Sequence, residues 1–322
     1  MEAHLHHRND TEDGLRRKLV EFRDRLSGRH GLLGRDGQGR TRFGFIHGNW
    51  ALCNSRPDGD WCGVNGELGV LRSAGCYADF TFPSAPSPTQ PRMVNAIYRA
   101  MDAPGRPRGC DRGREVTQYG SVNYGAAPRD PAVCGASLAL ATPSAWSRER
   151  EIGGRSALSP AHLPLLPGKP AGGASHSDTP ILPYSDTSSL MLITGPLALD
   201  WRRRKAGILP RLENGAITAA HPPTIWRARL WARQHIHVEG RPDWVFVKVY
   251  THGGVEENTE LLLGAGMRGL HEILSSQFTD GQGWALHYVT AREMYNIVRA
   301  AEDGKKGNPG DYRDYEVFRR EA

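Results

Sequence analysis

Three of the chain's 13 histidines fall within its first seven residues, MEAHLHH. In an extended strand alternate side chains share a face, so His4 and His6 project together while Leu5 and His7 point the other way. Two imidazoles on one face suit a divalent ion such as zinc, because neutral ring nitrogens bind it at about 2.0–2.1 Å with little backbone rearrangement. The competing expectation is a frayed, solvated terminus. His47 in RFGFIHGNW and His252 in VFVKVYTHG each end a predicted strand and precede a glycine. The carboxyl ends of strands line the active sites of parallel α/β folds, which makes both histidines candidates; either alone could equally be a satisfied core histidine.

Other residues carry weaker signals. Trp50 and Trp61 could wall a sugar site or pack in the interior. Asp58 and Glu67 read as loop and helix acids that solvate or cap, and Asp79 in YADF could face in or out. Asn258 could touch substrate, although helix capping is the simpler role. His287 could support a site from behind, with Arg292 and Glu293, but Glu293 already completes a capping box with Thr290. The glycines of GLLGRDGQG do not join a strand to a helix, and neither a phosphate-binding loop nor a G-x-S-x-G elbow is present.

Several elements must position these groups. Thr11 or Asp10 caps a helix whose apolar residues Leu15, Leu19, Phe22 and Leu26 recur at helical spacing. A Gly/Arg-rich turn leads to a buried strand ending at His47, then a loop, the helix GELGVLRSAG and the strand CYADFTFP stopped by Pro83. Two consecutive helix–strand units predict a parallel α/β architecture. Further on, SLMLITGPLAL reads as a strand, DWRRRKAGILPRLENG as a connection and TIWRARLWARQHI as a helix. DWVFVKVYTHG is the strongest strand signal. A helix over 257–274, a short strand WALHYV and a final helix closed by Gly304 complete the pattern.

At 322 residues the chain has ample material for a large core, and its 38 Gly and 22 Pro predict long irregular stretches. The expected organisation is 1–101 and 190–304 as two parts of one barrel, 102–189 as an irregular disordered insertion, and 305–322 as a tail. A net charge of +6 with scattered arginines does not single out nucleic acid as a partner. Cys53, Cys62, Cys76, Cys110 and Cys134 form no C-x-x-C pair and read as reduced structural thiols. With no export signal and no run approaching the roughly 20 apolar residues that span a bilayer, no membrane partner and a cytoplasmic location are expected.

Taken in order, HLHH, a helix, RFGFIHGNW, a helix–strand unit and the late VFVKVYTHG resemble the polysaccharide deacetylases of the NodB-like superfamily over residues 1–101 and 190–300. The resemblance implies a distorted, incomplete (β/α) barrel of parallel strands and a divalent metal, zinc above all, whose bound water attacks an acetamide. It also implies a carbohydrate substrate. By this likeness His4 with His6 or His7 matches the metal pair, FIHGNW (His47, Asn49, Trp50) the substrate motif, and His252 the late histidine that protonates the leaving amine. The chain departs from the family in the spacing of its first histidines, in lacking Arg and Tyr from the substrate motif, and in having no Asp–Asp motif ahead of Met1. That last departure predicts a truncated barrel with no assigned general base. Two alternatives stand beside it: another H-x-H metallohydrolase using His4, His6, His47 and His252, and a non-catalytic carbohydrate-binding protein.

Overall fold

The computed structural model describes residues 2–119, 136–137, 189–279 and 283–319. Cys134 and most of the expected insertion lie outside them.

The chain opens with β1 (Glu2–Leu5) and then α1 (Glu12–His30). The Thr11 hydroxyl accepts from Gly14 N–H at 3.0 Å, Glu12 and Asp13 occupy the positive first turn, and Gly31 closes the helix at φ 63°. Leu15 and Leu19 are fully buried, each stabilising the fold by roughly 1.5–3 kcal/mol, whereas Phe22 of the expected stripe is largely exposed. There follow β2 (Gly34–Asp36), β3 (Thr41–His47), α2 (Glu67–Ser73), β4 (Cys76–Asp79), β5 (Ile97–Ala100), β6 (Gly113–Glu115) and β7 (Ala136–Ser137). The second half supplies β8 (Leu190–Ile193), β9 (Ala198–Lys205), β10 (Leu209–Glu213), α3 (Ile225–Arg233), α4 (Thr259–Leu263) and α5 (Ala265–Gln277). It ends with β11 (Trp284–Ala285), α6 (Ala291–Glu302) and β12 (Val317–Phe318).

Eight strands form one sheet in the order β12-β2-β3-β4-β8-β5-β6, with β1 also paired to β3. Its centre is parallel: β1 with β3, β3 with β4, and β4 with β8. Its flanks are antiparallel. The α/β class therefore stands, while the expected barrel is replaced among the described residues by an open mixed sheet. Short connections bring β2 to β3 and β5 to β6 antiparallel, where a barrel would need helical crossovers. Phe43 and Phe45 of β3 pack with Leu15 and Leu19 of α1 and Leu68 and Leu71 of α2 in one apolar cluster.

Several local expectations differ in outcome. Residues 244–250 stand outside the sheet, bonded through Phe246 N–H to Ile236 O and through Tyr250 to Gly215 and Ile217. Val245 and Phe246 are buried, so the apolar run reports side-chain burial without a hydrogen-bonded ladder. The expected connection after Asp200 is a β9–β10 hairpin. The helix expected over 257–274 breaks at Gly264 into α4 and α5. Residues 113–115, inside the expected insertion, form an edge of the main sheet, and β12 within the expected tail forms the other. The capping box of Thr290 and Glu293 is present at α6.

Candidate functional site

A cavity of about 290 Å³ opens at the carboxyl ends of β3 and β4, lined among others by His4, His47, Trp50, Thr81, Lys248 and His252. Parallel pairing of β1 with β3 sets His4 beside Ile46 and Leu5 beside His47, which carries the amino-terminal histidines to the end of β3. The 247–252 segment crosses the same opening and delivers His252.

His4 and His6 face solvent at the rim, with their Nε2 atoms 3.0 Å apart. Asn49 sets the chemistry of this pair. Its side-chain N–H groups donate to His7 O at 2.9 Å and Trp61 O at 3.2 Å, so its Oδ1 is the atom 2.7 Å from His6 Nδ1. An amide oxygen only accepts, so His6 carries its proton on Nδ1 and presents a lone pair at Nε2, the state a metal-binding imidazole requires. Gly48 makes the arrangement possible, because a Cβ there would lie 2.5 Å from the His6 ring. Loss of hydration and the neighbouring His6 and His252 hold His4 below the ordinary histidine pKa, favouring its neutral form. The His252 ring lies 5.9 Å from that of Trp50 and edge-on to Tyr250 at 6.1 Å.

His7, beyond the end of β1, is buried while His4 and His6 are exposed, so it does not join them as the resemblance implied. It enters a buried group with His47, Cys62 and Glu67 whose ligand atoms all lie within 4.8 Å of one another, a set that could hold a metal ion. His7 Nε2 donates to Glu67 Oε1 at 3.1 Å, while the Cys53 amide at 2.7 Å and the Cys62 thiol at 3.3 Å donate to Oε2. Burial works to raise the Glu67 pKa, yet His47, the bond from His7 and the Cys53 amide hold it below the usual carboxylate range. Burial and the Glu67 charge push the Cys62 thiol up. Burial lowers His47 to about 4, with Glu67 only partly opposing it, so this ring is neutral at pH 7. Its Nδ1 accepts from Asn49 N–H at 3.2 Å, which puts the ring proton on Nε2, 3.7 Å from Glu67 Oε1 and without a hydrogen-bond partner.

Below the cavity opening lie the buried Asp79 and the half-buried Lys248. Asp79 accepts from Thr81 N–H at 3.0 Å and from the Thr81 hydroxyl at 2.8 Å, and that hydroxyl accepts in turn from His47 N–H. Lys248 Nζ donates to the carbonyls of Phe80 and Phe82. Burial raises Asp79 to about 7 against the Thr81 hydrogen bonds and then the Lys248 charge, and burial lowers Lys248 to about 7 against the Asp79 charge.

The residues expected from sequence divide accordingly. His4, His47, Trp50 and His252 line one cavity, with His6 bonded to His4 at its rim. Asn49 was expected to touch substrate, but its donors and acceptor are committed to His6, His7 and Trp61. Trp61 stacks under Arg8 at 5.0 Å and Arg56 at 5.8 Å away from the cavity lining, and Asp58 pairs with Arg56. Asn258 makes no side-chain cap and instead bonds His252 O and Ala219 N, pinning the loop that carries His252. His287 packs against Gly310, outside the cavity lining. Sequence reasoning missed Glu67, Cys62 and Lys248 as site residues. The one signal available was Lys248 itself, a lone charge within the apolar run WVFVKVY, where an unpaired ammonium is costly. No family model, curated protein or solved structure matches this chain.

Proposed function

We propose that the chain is a metal-dependent hydrolase that removes acetyl groups from amino sugars, with the ion held by His4 and His6. The observation carrying this proposal is the 3.0 Å approach of two Nε2 atoms, one preset by Asn49, on the rim of a cavity that His252 and Trp50 also line. Zinc or a similar divalent ion, when bound, supplies a water of lowered pKa and polarisation of the acetyl carbonyl. Asn49 keeps the proton on His6 Nδ1. Trp50 offers an apolar face for a sugar ring. His252, between Trp50 and Tyr250, delivers a proton to the leaving amine.

A second reading places the ion among His7, His47, Cys62 and Glu67, favoured by the unpartnered Nε2 of His47. That site demands more rearrangement: His47 must shift its proton to Nδ1 and lose the Asn49 amide, and Cys62 must ionise. His6 needs neither change, and His4, whose Nε2 proton faces the His6 lone pair, needs only to move that proton to Nδ1.

Metal content and acetate release from acetylated amino-sugar oligomers separate the possibilities. The proposal expects the full chain to retain about one zinc equivalent, as a single site requires, and to release acetate, with both lost in His4→Ala/His6→Ala and zinc kept in Cys62→Ser. The opposite pattern of zinc retention assigns the buried group. Oligomer binding that survives chelation, without acetate release, overturns the enzyme in favour of a binding protein.

A further inference from the structure

The β9–β10 hairpin stands apart from the main sheet as a two-stranded ribbon. Ala206 at φ 51° and Gly207 at φ 73° are the left-handed residues of its three-residue turn, which lies between the paired Lys205 and Leu209. Ile208, the last turn residue, is 75% exposed and Leu209 63% exposed. Further down, Trp201 is 58% exposed and shares a face with Leu199, which pairs directly with the exposed Leu212.

Around these apolar groups the ribbon carries Arg202, Arg203, Arg204, Lys205 and Arg211. None of these five forms an ion pair with an acid among the described residues. The ribbon's own acids are turned inward: Asp200 is buried under Trp226 Nε1 at 2.8 Å, and Glu213 is buried against Arg227. The surface offered to a partner is therefore cationic, with an aliphatic tip and a tryptophan behind it.

We propose that this hairpin docks on anionic lipid membranes, with Ile208 and Leu209 entering the acyl boundary, Trp201 at headgroup level, and the arginines and Lys205 against lipid phosphates. This distribution matches interfacial binding, in which buried apolar area and attraction to anionic headgroups act together. No spanning helix is needed, and none of the described helices is long and apolar enough to be one. A nucleic acid would meet the cations but give the aliphatic tip nothing to bury against. A second copy would bring the same positive charge to the contact.

The test uses the full chain and sedimentation with vesicles of pure phosphatidylcholine, or of phosphatidylcholine with about three-tenths phosphatidylglycerol. Binding is expected to the anionic vesicles at least about 10-fold tighter than to the neutral ones and to weaken with salt. Ile208→Ser/Leu209→Ser and Arg203→Glu/Lys205→Glu, shown to be folded by unchanged thermal melting, should each reduce it about 10-fold. Absence of binding to anionic vesicles, equal binding to neutral ones, or insensitivity to either double variant overturns the proposal. So does retention of single-stranded DNA lost only in the charge-reversed variant without vesicle binding, which assigns a polyanion. A dimer dissociated by the Ser/Ser variant, again without vesicle binding, assigns a second copy.

Discussion

The side-chain oxygen of Asn49 lies 2.7 Å from Nδ1 of His6, although the two residues come from different strand ends and 43 positions apart in the chain. That contact decides which nitrogen of His6 carries a proton and therefore which is free to bind an ion. The same side chain anchors His7 and Trp61, so one residue couples the exposed histidine pair to the backbone of the buried group.

Replacing Asn49 with Ala releases the His6 tautomer. Zinc affinity measured by competition with a chromogenic chelator should fall about 10–100-fold, the usual cost of losing a partner behind a metal ligand. An unchanged affinity removes His6 from the metal site.

Gly48→Ala forces a methyl group to within 2.5 Å of the His6 ring. Because Gly48 does not have positive φ, the penalty is steric alone. Denaturant unfolding should show a loss of about 1–3 kcal/mol, the typical cost of overpacking, and zinc retention should fall with it.

His47 makes stability depend on pH in a defined window. Its folded pKa of about 4 lies below the ordinary 6.5, so between these values the unfolded chain binds more protons than the folded one. In the presence of chelator, unfolding free energy should therefore rise as pH goes from about 4 to 6.5, by about 3 kcal/mol for this one group. His47→Gln should flatten that part of the profile.

Lys248→Met removes the donor to two backbone carbonyls and leaves Asp79 without its counter-charge. Losing these bonds at a half-buried ammonium should cost about 1–3 kcal/mol. Asp79→Asn/Lys248→Met should cost less than the sum of the two single changes, since each charge acts on the other without a direct contact. Strict additivity in a double-mutant cycle contradicts the coupling.

Two features were determined by sequence alone because they depend on local periodicity. Alternation along an extended segment separates His4 and His6 from His7, and the structure keeps that division, with the first two at the rim and the third buried. Helical spacing and capping residues likewise defined α1 and α6, since those signals act within a few residues of the element they shape. Tertiary structure alone decided the rest. Glu67 has the sequence character of an ordinary helix acid and becomes the centre of a buried hydrogen-bonded group only when α2 packs beside the end of β3. Asn49 chooses its partners only when β1 pairs with β3, and residues 244–250 carry a strand's apolar pattern without a strand's ladder. Hydrophobic pattern records which side chains leave water, whereas the partner that satisfies each buried polar group depends on which distant segments the fold brings together.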